Sequence, residues 1–231
     1  MSRTLLRVFR ELSGSQQPGE VGAAECGPHG PPVLILGPPD CRMSGLMFMV
    51  AALAAEEEGT VLYLCPEPLQ TVPKAGRAAR DPLILKKIRF VYPPSLKDLL
   101  QFFSSLHLTS PAPSLILVDR LERYLPPTCS LHDGALISTL MLDSVSHSRC
   151  GLLVSAAPNS IGTDEAFVAV ERYFPNQCLV YHELSSGVKE QVFKISFMSP
   201  RPQWNLRVEE DGSIQVSSCV AIGEQCPTTQ D

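Results

Sequence analysis

The chain has 231 residues, 44% of them hydrophobic, and a formal net charge of −5. This length and composition predict one substantial α/β domain with a real core. The acidic balance argues against a protein that coats nucleic acid through bulk charge. The excess acid lies in residues 164–231, which carry ten acids against five bases. A local basic DNA-binding face is therefore still compatible with the sequence.

Cysteine usage and apolar stretches indicate the compartment. The eight cysteines are scattered, without a CxxC pair or a nearby cysteine–histidine cluster, so their spacing predicts no zinc site. Several lie inside apolar runs, where a reduced cysteine behaves as a small hydrophobe, and this favours a reducing intracellular compartment. No apolar stretch approaches the roughly 20 residues that span a bilayer. We therefore expect no membrane partner.

The N-terminal residues 2–12 predict a short amphipathic helix with three arginines. It is either a helix that docks on the domain or on a partner, or a mitochondrial presequence. The first interpretation is favoured because Glu11 and the short length weaken the targeting signal. Residues 14–32 predict a flexible Gly/Pro/Ser-rich linker. We divide the chain into an N-terminal helix and linker (1–30), one α/β domain (31–220) and a disordered tail (221–231).

From Val33 onward, short apolar runs alternate with helical patterns, which predicts parallel strands covered by helices. The expected strands are 33–36, 60–65, 88–92, 114–119 and 151–156, and the expected helices are 44–58, 95–107, 131–147 and 164–173. Four further strands are expected at 178–182, 191–197, 205–208 and 213–217. An Asp-Gly turn separates the last two and predicts a β-hairpin. The fold class is α/β, a mostly parallel sheet flanked by helices with an antiparallel C-terminal hairpin extension.

The segment between the first strand and the first helix has the outline of a phosphate-binding loop, G-x-x-x-x-G-K-[ST]. Arg42 and Met43 stand at the second glycine and the lysine. Prolines 38 and 39 remove two backbone donors, and Met43 cannot neutralise phosphate. Taken alone, the motif is weak, and an ordinary strand–turn–helix is the better interpretation. The candidate nucleotide-binding residues are Gly37, Pro38, Pro39, Asp40, Cys41, Arg42, Met43 and Ser44.

Two acidic residues strengthen the interpretation of this loop as a nucleotide site. Asp119 ends a buried strand as a Walker B carboxylate does, where it would bind magnesium through water, with Ser44 as the hydroxyl ligand. Glu67 follows the second strand, where a carboxylate can orient a water for attack on the γ-phosphate. The plain alternatives are an ordinary acid at a strand end and a solvated turn residue. Because ligands of open α/β sheets bind at the carboxyl ends of strands, we expect all three residues to gather on adjacent strands.

The densest positive charge lies in residues 74–90, with six bases against one acid: Lys74, Arg77, Arg80, Lys86, Lys87 and Arg89. With Phe90 and Tyr92 nearby, this patch could contact a DNA backbone and stack a base. The alternative, in which the aromatics belong to the core and the bases form its solvated edge, has even weight because strand aromatics are usually packing residues.

This order of elements and these motifs resemble the RecA-type recombinase paralogues of the P-loop ATPase family, over roughly residues 31–220. Residues 37–44 fall on the Walker A loop, residues 63–67 on the strand that delivers the catalytic glutamate, and residues 115–119 on Walker B. The resemblance implies a RecA-like core. It also implies a DNA-stimulated ATPase with ATP and Mg²⁺ as cofactors, whose handling is weakened or lost at Arg42 and Met43.

The resemblance also implies a nuclear role in homologous-recombination DNA repair. The implied partners are single-stranded DNA, a SWIM-type zinc-finger protein and recombinases or their paralogues, with self-association. DNA binding would be separable from hydrolysis and would involve the loops after the fourth and fifth strands, around Arg120, Arg123 and residues 157–162. The alternative function is a catalytically dead scaffold that acts through protein interactions.

Overall fold

The computed structural model describes residues 30–39, 41, 43–57, 59–70, 81–158, 164–182, 191–197, 203–208 and 214–219. Several predicted features lie outside these residues: the N-terminal helix, most of the linker, Asp40, Arg42, Lys74, Arg77, Arg80, the loop 159–163, the Asp-Gly turn and the C-terminal tail. Among the described helices, none is long and apolar enough to cross a membrane.

The described strands form one nine-stranded sheet in the order β3-β2-β4-β5-β1-β6-β7-β8-β9. The strands from β1 to β6 pair in parallel, and those from β6 to β9 pair antiparallel. Their bounds are β1 Val33–Leu36, β2 Val61–Leu64, β3 Ile88–Val91, β4 Leu115–Val118, β5 Gly151–Ala156, β6 Gln177–His182, β7 Gln191–Phe197, β8 Gln203–Val208 and β9 Ile214–Cys219. The sequence prediction of a parallel core with an antiparallel hairpin extension is confirmed.

Five α-helices accompany the described strands: α1 Met43–Glu56, α2 Pro82–Leu85, α3 Leu96–Ser104, α4 Leu131–Ser148 and α5 Glu165–Tyr173. Single 3₁₀ turns occur at Leu106–Leu108 and Leu121–Arg123. Helix α3 begins at the predicted cap, where the Ser95 side chain accepts a hydrogen bond from the Asp98 N–H. Helix α4 begins with a capping box in which Ser130 and Asp133 satisfy each other's backbone N–H groups, an arrangement that stabilises a helix start.

The sheet separates two apolar layers. Alternate residues of β1 show this division, because Val33 and Ile35 join the cluster that contains α1, whereas Leu34 and Leu36 join the cluster that contains α3, α4 and α5. Helix α1 is buried almost all round, which follows from its near-continuous apolar sequence. The interior faces of β7, β8 and β9 extend the α1 layer. The antiparallel extension is therefore part of the main core.

Two predicted elements differ from the structure. The helix expected over 95–107 ends at Ser104 and continues as a 3₁₀ turn, because the Ser104 and Ser105 hydroxyls donate to carbonyls of the last turn and so compete with helical hydrogen bonds. The short helix α2 lies inside the basic stretch and was not predicted. Asp81 caps it by accepting from the Leu83 N–H, and Pro82 stands at its first position, a combination that favours a helix start.

Candidate functional site

The carboxylate of Asp119 lies at the centre of a buried polar network at the carboxyl ends of the strands. Asp119 is fully buried. Its Oδ2 accepts a hydrogen bond from the Tyr63 hydroxyl at 2.9 Å, and its Oδ1 accepts one from the Ser155 hydroxyl at 2.6 Å. Ser155 in turn accepts from the Arg120 backbone N–H at 3.1 Å. Because both carboxylate oxygens have a donor, this buried acid meets the requirement that makes charge burial tolerable.

The register of the sheet explains why these side chains meet. Strand β4 pairs with β2 through Leu64 and with β5 through Val154, both opposite Val118. Continued by one residue, the same register places Cys65 and Ser155 on either side of Asp119. Side chains alternate between the two faces of a strand, so Asp119 lies on the α1 face with Leu115 and Leu117. Cys65 is a poor donor, and Tyr63 reaches Asp119 diagonally from the same face of β2.

Burial and the Asp119 charge keep the neighbouring groups protonated. Burial, with the nearby Asp119 carboxylate, raises the pKa of Tyr63 well above its ordinary value. The same causes raise the pKa of Cys65 to about 12. Burial also raises the pKa of Tyr124, a third buried group close to Asp119. None of these groups is therefore a ready nucleophile at neutral pH, and Tyr63 acts as a hydrogen-bond donor.

The candidate phosphate loop offers few donors to an anion. The Gly37 N–H donates to the Ala156 carbonyl at 3.1 Å, and the Cys41 N–H donates to the Pro38 carbonyl at 3.2 Å. Prolines 38 and 39 have no N–H, so no backbone N–H is free among the described residues that precede α1, 37–39 and 41. The free donors nearby are those of the first turn of α1, which are unpaired in any helix.

Met43 points back into the loop. A Cβ atom added to Gly37 would lie 2.9 Å from the Met43 methyl carbon, 3.0 Å from Cβ of Val180 and 3.1 Å from Sγ of Cys41. Met43 is also packed against the α1-side core cluster. Apolar and sulfur atoms therefore crowd the space around Gly37, and any larger residue at position 37 would displace them. Arg42, the other departure from the motif, lies outside the described residues.

Glu67 forms ion pairs with two arginines at the surface. Its Oε1 accepts a hydrogen bond from the Arg123 guanidinium at 2.9 Å, and its Oε2 lies 3.9 Å from Nη1 of Arg120. Arg120 Nε lies 3.9 Å from Oε1 of Glu122. The Glu122 Oε2 accepts from the Ala157 N–H at 3.0 Å, which ties the loop after β4 to the loop after β5. Burial raises the pKa of Glu122, although the Ala157 hydrogen bond and Arg120 oppose this effect.

A cleft of about 400 Å³ lies beside this surface network. It is lined by proline and apolar residues together with Glu67, Glu122, Arg123 and Asp164. Of these charged groups, Glu67 and Arg123 pair with each other, Glu122 accepts from Ala157, and Asp164 caps α5. The cleft therefore belongs to the same strand-end site, and its charges are already compensated.

The predicted site residues lie together only in part. Glu67 and Asp119 follow the neighbouring strands β2 and β4, as expected, but β5 lies between β4 and β1, which carries the loop. The expectation that all three elements lie on adjacent strands is wrong on this point, because strand order depends on crossovers that chain order does not fix. The Tyr63 hydroxyl spans part of this gap, since it lies 3.2 Å from the Ser44 backbone carbonyl as well as 2.9 Å from Asp119.

The oxygen donors of Ser44 and Asp119 suit a magnesium ion that keeps most of its waters. Among the described residues, no group of three or more His, Cys, Asp or Glu side chains could hold a metal by itself. A magnesium ion here would therefore depend on phosphate oxygens and water, with Ser44 and Asp119 as protein contributors. The phosphate side of such a site is weak, because it lacks the lysine and most of the loop donors.

The residues predicted to contact DNA divide between two edges of the sheet. Lys86 and Lys87 directly precede β3, whose first residue pairs with the first residue of β2, so they lie at the amino edge. Arg120 and Arg123 directly follow β4 and lie at the carboxyl edge. A four-residue strand is about 13 Å long, so these are two separate surfaces. Lys74, Arg77 and Arg80 lie outside the described residues.

The two aromatics of the basic patch differ in exposure. Phe90 packs against the α1-side cluster, with ring centroids 5.2 Å from Tyr63 and 6.4 Å from Phe48. Tyr92 stacks on Phe90 at 6.3 Å and is 44% exposed. Phe90 is therefore partly buried against the core, and Tyr92 has the more exposed ring of the two.

Sequence reasoning did not identify Tyr63 and Ser155 as site residues. Both residues lie on predicted strands, 60–65 and 151–156, and neither was assigned a role in the site. The available signal was their place on predicted strands: Ser155 lies near the end of β5, and Tyr63 precedes the end of β2, beside the strand that carries Asp119. A buried acid needs donors, and hydroxyl side chains near neighbouring strand ends are the first places to look for them.

The strand–loop–helix at residues 33–56, the parallel strand order and the buried acid that closes β4 define a RecA-like P-loop NTPase core. The crystal structure of the flagellar accessory protein FlaH from Methanocaldococcus jannaschii has a similar fold, with a TM-score of 0.60 over 84% of this chain and 93% of that one, at 12% identity. The predicted fold class is confirmed.

Sequence relatives define the family. The chain is 33% identical over 237 residues of alignment to ATPase SWSAP1 of Mus musculus, covering 96% of this chain and 83% of the relative. It is 34% identical over 205 residues to ATPase SWSAP1 of Homo sapiens, covering 81% and 89%. No protein-family model matches the chain. The chain belongs to the SWSAP1 family.

Proposed function

We propose that this chain is a RecA-paralogue accessory protein of homologous-recombination DNA repair. In this proposal it acts in the nucleus, binds single-stranded DNA, works with a SWIM-type zinc-finger protein and handles ATP weakly. The ATPase name of its relatives and the RecA-like fold support the class. The observation that carries the proposal is the buried Asp119 at the end of β4, held by side chains from β2 and β5 beside the start of α1.

The residues available for ATP handling have distinct roles in this proposal. The first-turn N–H groups of α1 would meet phosphate oxygens, and the Ser44 hydroxyl and Asp119 would hold a hydrated Mg²⁺. Bound Mg²⁺ would neutralise charge on the phosphates. Glu67 could orient a water only after it leaves Arg123, to which it is bound at 2.9 Å. The missing lysine and the engaged Glu67 both predict slow turnover.

Two surfaces compete for DNA. Lys86, Lys87 and Arg89 are exposed, and the ion pairs found among the described residues involve none of them, so their charge can act on a phosphate backbone. Arg120 and Arg123 are paired with Glu67 and Glu122, and part of their charge is compensated. This difference in charge favours the patch at the amino edge as the primary DNA contact, while the exposed ring of Tyr92 follows β3 and lies at the carboxyl edge.

A catalytically dead scaffold is the second candidate, and the loop itself favours it. The Met43 methyl group and the Cys41 sulfur crowd Gly37, and the Gly37 and Cys41 N–H groups are used within the protein. In this case the fold would serve only its protein interactions. The third candidate is a competent but slow ATPase, in which Arg42 or a neighbouring subunit supplies the missing cation. It differs from the accessory protein proposed first in that it would turn ATP over at a measurable rate.

Nucleotide binding and turnover separate these functions. The purified chain is assayed with radiolabelled ATP, with and without single-stranded DNA, alongside Ser44→Ala and Asp119→Ala. Ser146→Ala, a change on the exposed side of α4, serves as the matched control. Turnover that either site substitution abolishes, while the control retains it and all variants stay folded, excludes the scaffold. Absence of both binding and turnover in the wild type would reject the ATP-handling part of the proposal.

DNA binding is tested by charge removal at each edge. We expect Lys86→Ala/Lys87→Ala/Arg89→Ala to weaken binding to an oligo(dT) strand by about tenfold or more in low salt and to reduce the salt dependence. Arg120→Ala/Arg123→Ala should have a smaller effect, and Lys97→Ala, an exposed lysine of α3, should have none. If binding persists in the triple variant, the placement of the DNA site at the amino edge is wrong.

The partner is tested by purification. Co-expression with a tagged SWIM-type zinc-finger protein should recover the chain in a stable complex, and mixed tags on two copies of the chain test self-association. This experiment does not depend on the loop, so it examines the proposed recombination role separately from ATP. A chain that stays alone under both conditions would remove the partner from the proposal.

A further inference from the structure

Tyr63 has an unusual position for a tyrosine. The residue is fully buried in the middle of a parallel sheet, where strands are normally continuous apolar runs. Its ring packs against Phe90 with centroids 5.2 Å apart. Its hydroxyl lies 2.9 Å from Oδ2 of Asp119 and 3.2 Å from the backbone carbonyl of Ser44. One hydroxyl group thus stands between the candidate metal carboxylate and the first turn of α1.

We propose that Tyr63 is a positioning residue that fixes the Asp119 carboxylate relative to Ser44, and that Ser155 performs the matching task on the other carboxylate oxygen. The inference rests on the nucleotide-binding part of the proposed function. Neither hydroxyl contacts the nucleotide or the metal in this scheme. Each one determines the direction in which the free lone pairs of Asp119 point.

The hydrogen bonds support an orienting role. The Tyr63 hydroxyl has one proton and two possible acceptors, Oδ2 of Asp119 and the Ser44 carbonyl. Oδ2 is the nearer of the two and belongs to a charged group, so the hydroxyl donates to it. Ser155 donates to Oδ1 at 2.6 Å and is itself held by the Arg120 N–H. Each carboxylate oxygen can accept two hydrogen bonds, so one lone pair on each oxygen is left for a water of the metal. With donors on both sides, rotation of the carboxylate would break a buried hydrogen bond.

A second buried tyrosine provides the comparison within the same chain. Tyr124 is also buried and lies near Asp119, but its hydroxyl has no hydrogen-bond partner within the described residues. Removal of that hydroxyl deletes no described contact, whereas removal of the Tyr63 hydroxyl frees one oxygen of Asp119. The pair Tyr63→Phe and Tyr124→Phe therefore separates the loss of a specific hydrogen bond from the loss of a buried hydroxyl as such.

The experiment measures binding of a fluorescent ATP analogue to the full chain, in Mg²⁺ and in EDTA. We expect the wild type to bind more tightly with Mg²⁺. In Tyr63→Phe the ratio of the affinity in Mg²⁺ to the affinity in EDTA should fall about tenfold, the usual effect of one buried hydrogen bond to a charged group. Its affinity in EDTA should stay unchanged. Ser155→Ala should behave in the same way, Ser155→Thr should restore the gain, and Tyr124→Phe should match the wild type.

The outcomes are distinct. A Tyr63→Phe variant that keeps the full Mg²⁺ gain overturns the inference while leaving the proposed function intact. A variant that loses affinity equally in Mg²⁺ and in EDTA, with a lower Tm, also overturns it, because the role is then only structural. A wild type without any Mg²⁺-dependent binding rejects ATP handling and, with it, the positioning role. A loss confined to the Mg²⁺ condition supports the inference.

Discussion

Position 43 decides whether the loop can bind phosphate, so Met43→Lys is the most informative single substitution. Methionine and lysine have similar length and flexibility, and the Met43 methyl lies beside Gly37, at the first position of the loop. A lysine in the same conformation would bring its ammonium group into the loop. The substitution therefore restores the missing charge without a change of backbone.

The expected gain follows from one charged contact. A hydrogen bond to a charged group contributes about 1.5–3 kcal/mol, and therefore about tenfold to hundredfold in nucleotide affinity. The substitution also removes apolar contact, and this loss lowers the free energy of unfolding. Met43 is half-buried against the α1-side cluster, so the lysine costs about 1 kcal/mol of hydrophobic burial, or about 2–4 °C in Tm for a domain of this size.

The assay is equilibrium binding of an ATP analogue at low and high salt, with Met43→Leu as the apolar control. Met43→Lys should bind more tightly than the wild type, with a steeper salt dependence, and the analogue should raise its Tm. Met43→Leu should resemble the wild type in both respects. If the lysine variant binds no better than the leucine variant, residues 37–44 no longer form a phosphate site, and the scaffold function gains its strongest support.

Three further outcomes follow from packing and burial. A Cβ on Gly134 would lie 2.1 Å from the Ala166 backbone carbonyl, so Gly134→Ala should push α4 from α5 and lower the free energy of unfolding by about 2 kcal/mol, read by urea denaturation. Burial raises the pKa of Glu122 from 4.5. The stability associated with its protonated form is complete below pH 4.5 and is lost as pH rises through the higher folded-state pKa. Glu122→Gln, followed by Tm against pH, should abolish that component, and an unchanged profile would contradict it. Because the pKa of Cys65 is raised to about 12, its alkylation by iodoacetamide at pH 8 should require unfolding, and rapid native labelling would refute this burial.

Much of the fold could be predicted because its signals are local. The four apolar residues of β4 followed by Asp119 predict a buried strand with an acid at its end, and the structure has this arrangement. The extension was predictable in the same way, since strands β8 and β9, which stand on either side of the predicted turn in the sequence, pair antiparallel. Helix caps such as Ser95 also depend on neighbours a few residues away. In each case one short stretch of sequence contains the whole physical cause.

The site was less predictable because its contacts join distant parts of the chain. Tyr63 and Asp119 are 56 residues apart, and Ser155 and Asp119 are 36 apart. Their meeting depends on the order β2-β4-β5, which results from crossovers and not from any local pattern. Lys86 and Arg120, which the sequence prediction had placed in one set of DNA contacts, are separated for a different reason: Lys86 precedes β3 and Arg120 follows β4, and these ends lie at opposite edges of the sheet. Chemistry-bearing residue types are visible in sequence, but their partners follow from strand order.

The two residues that matter most for the candidate ATP site, Met43 and Asp119, are under different physical constraints. A lysine at position 43 has no structural task, and methionine there fills the loop and adds apolar contact. Asp119 cannot be replaced so easily, because its loss would leave the buried Ser155 hydroxyl without its acceptor, at about 1–3 kcal/mol, and would leave the Tyr63 hydroxyl only the Ser44 carbonyl at 3.2 Å. A chain of this fold that stopped hydrolysing ATP could therefore lose the lysine at no cost to folding and still need the carboxylate. It follows that Asp119 identifies the fold, whereas the behaviour of position 43 identifies the activity.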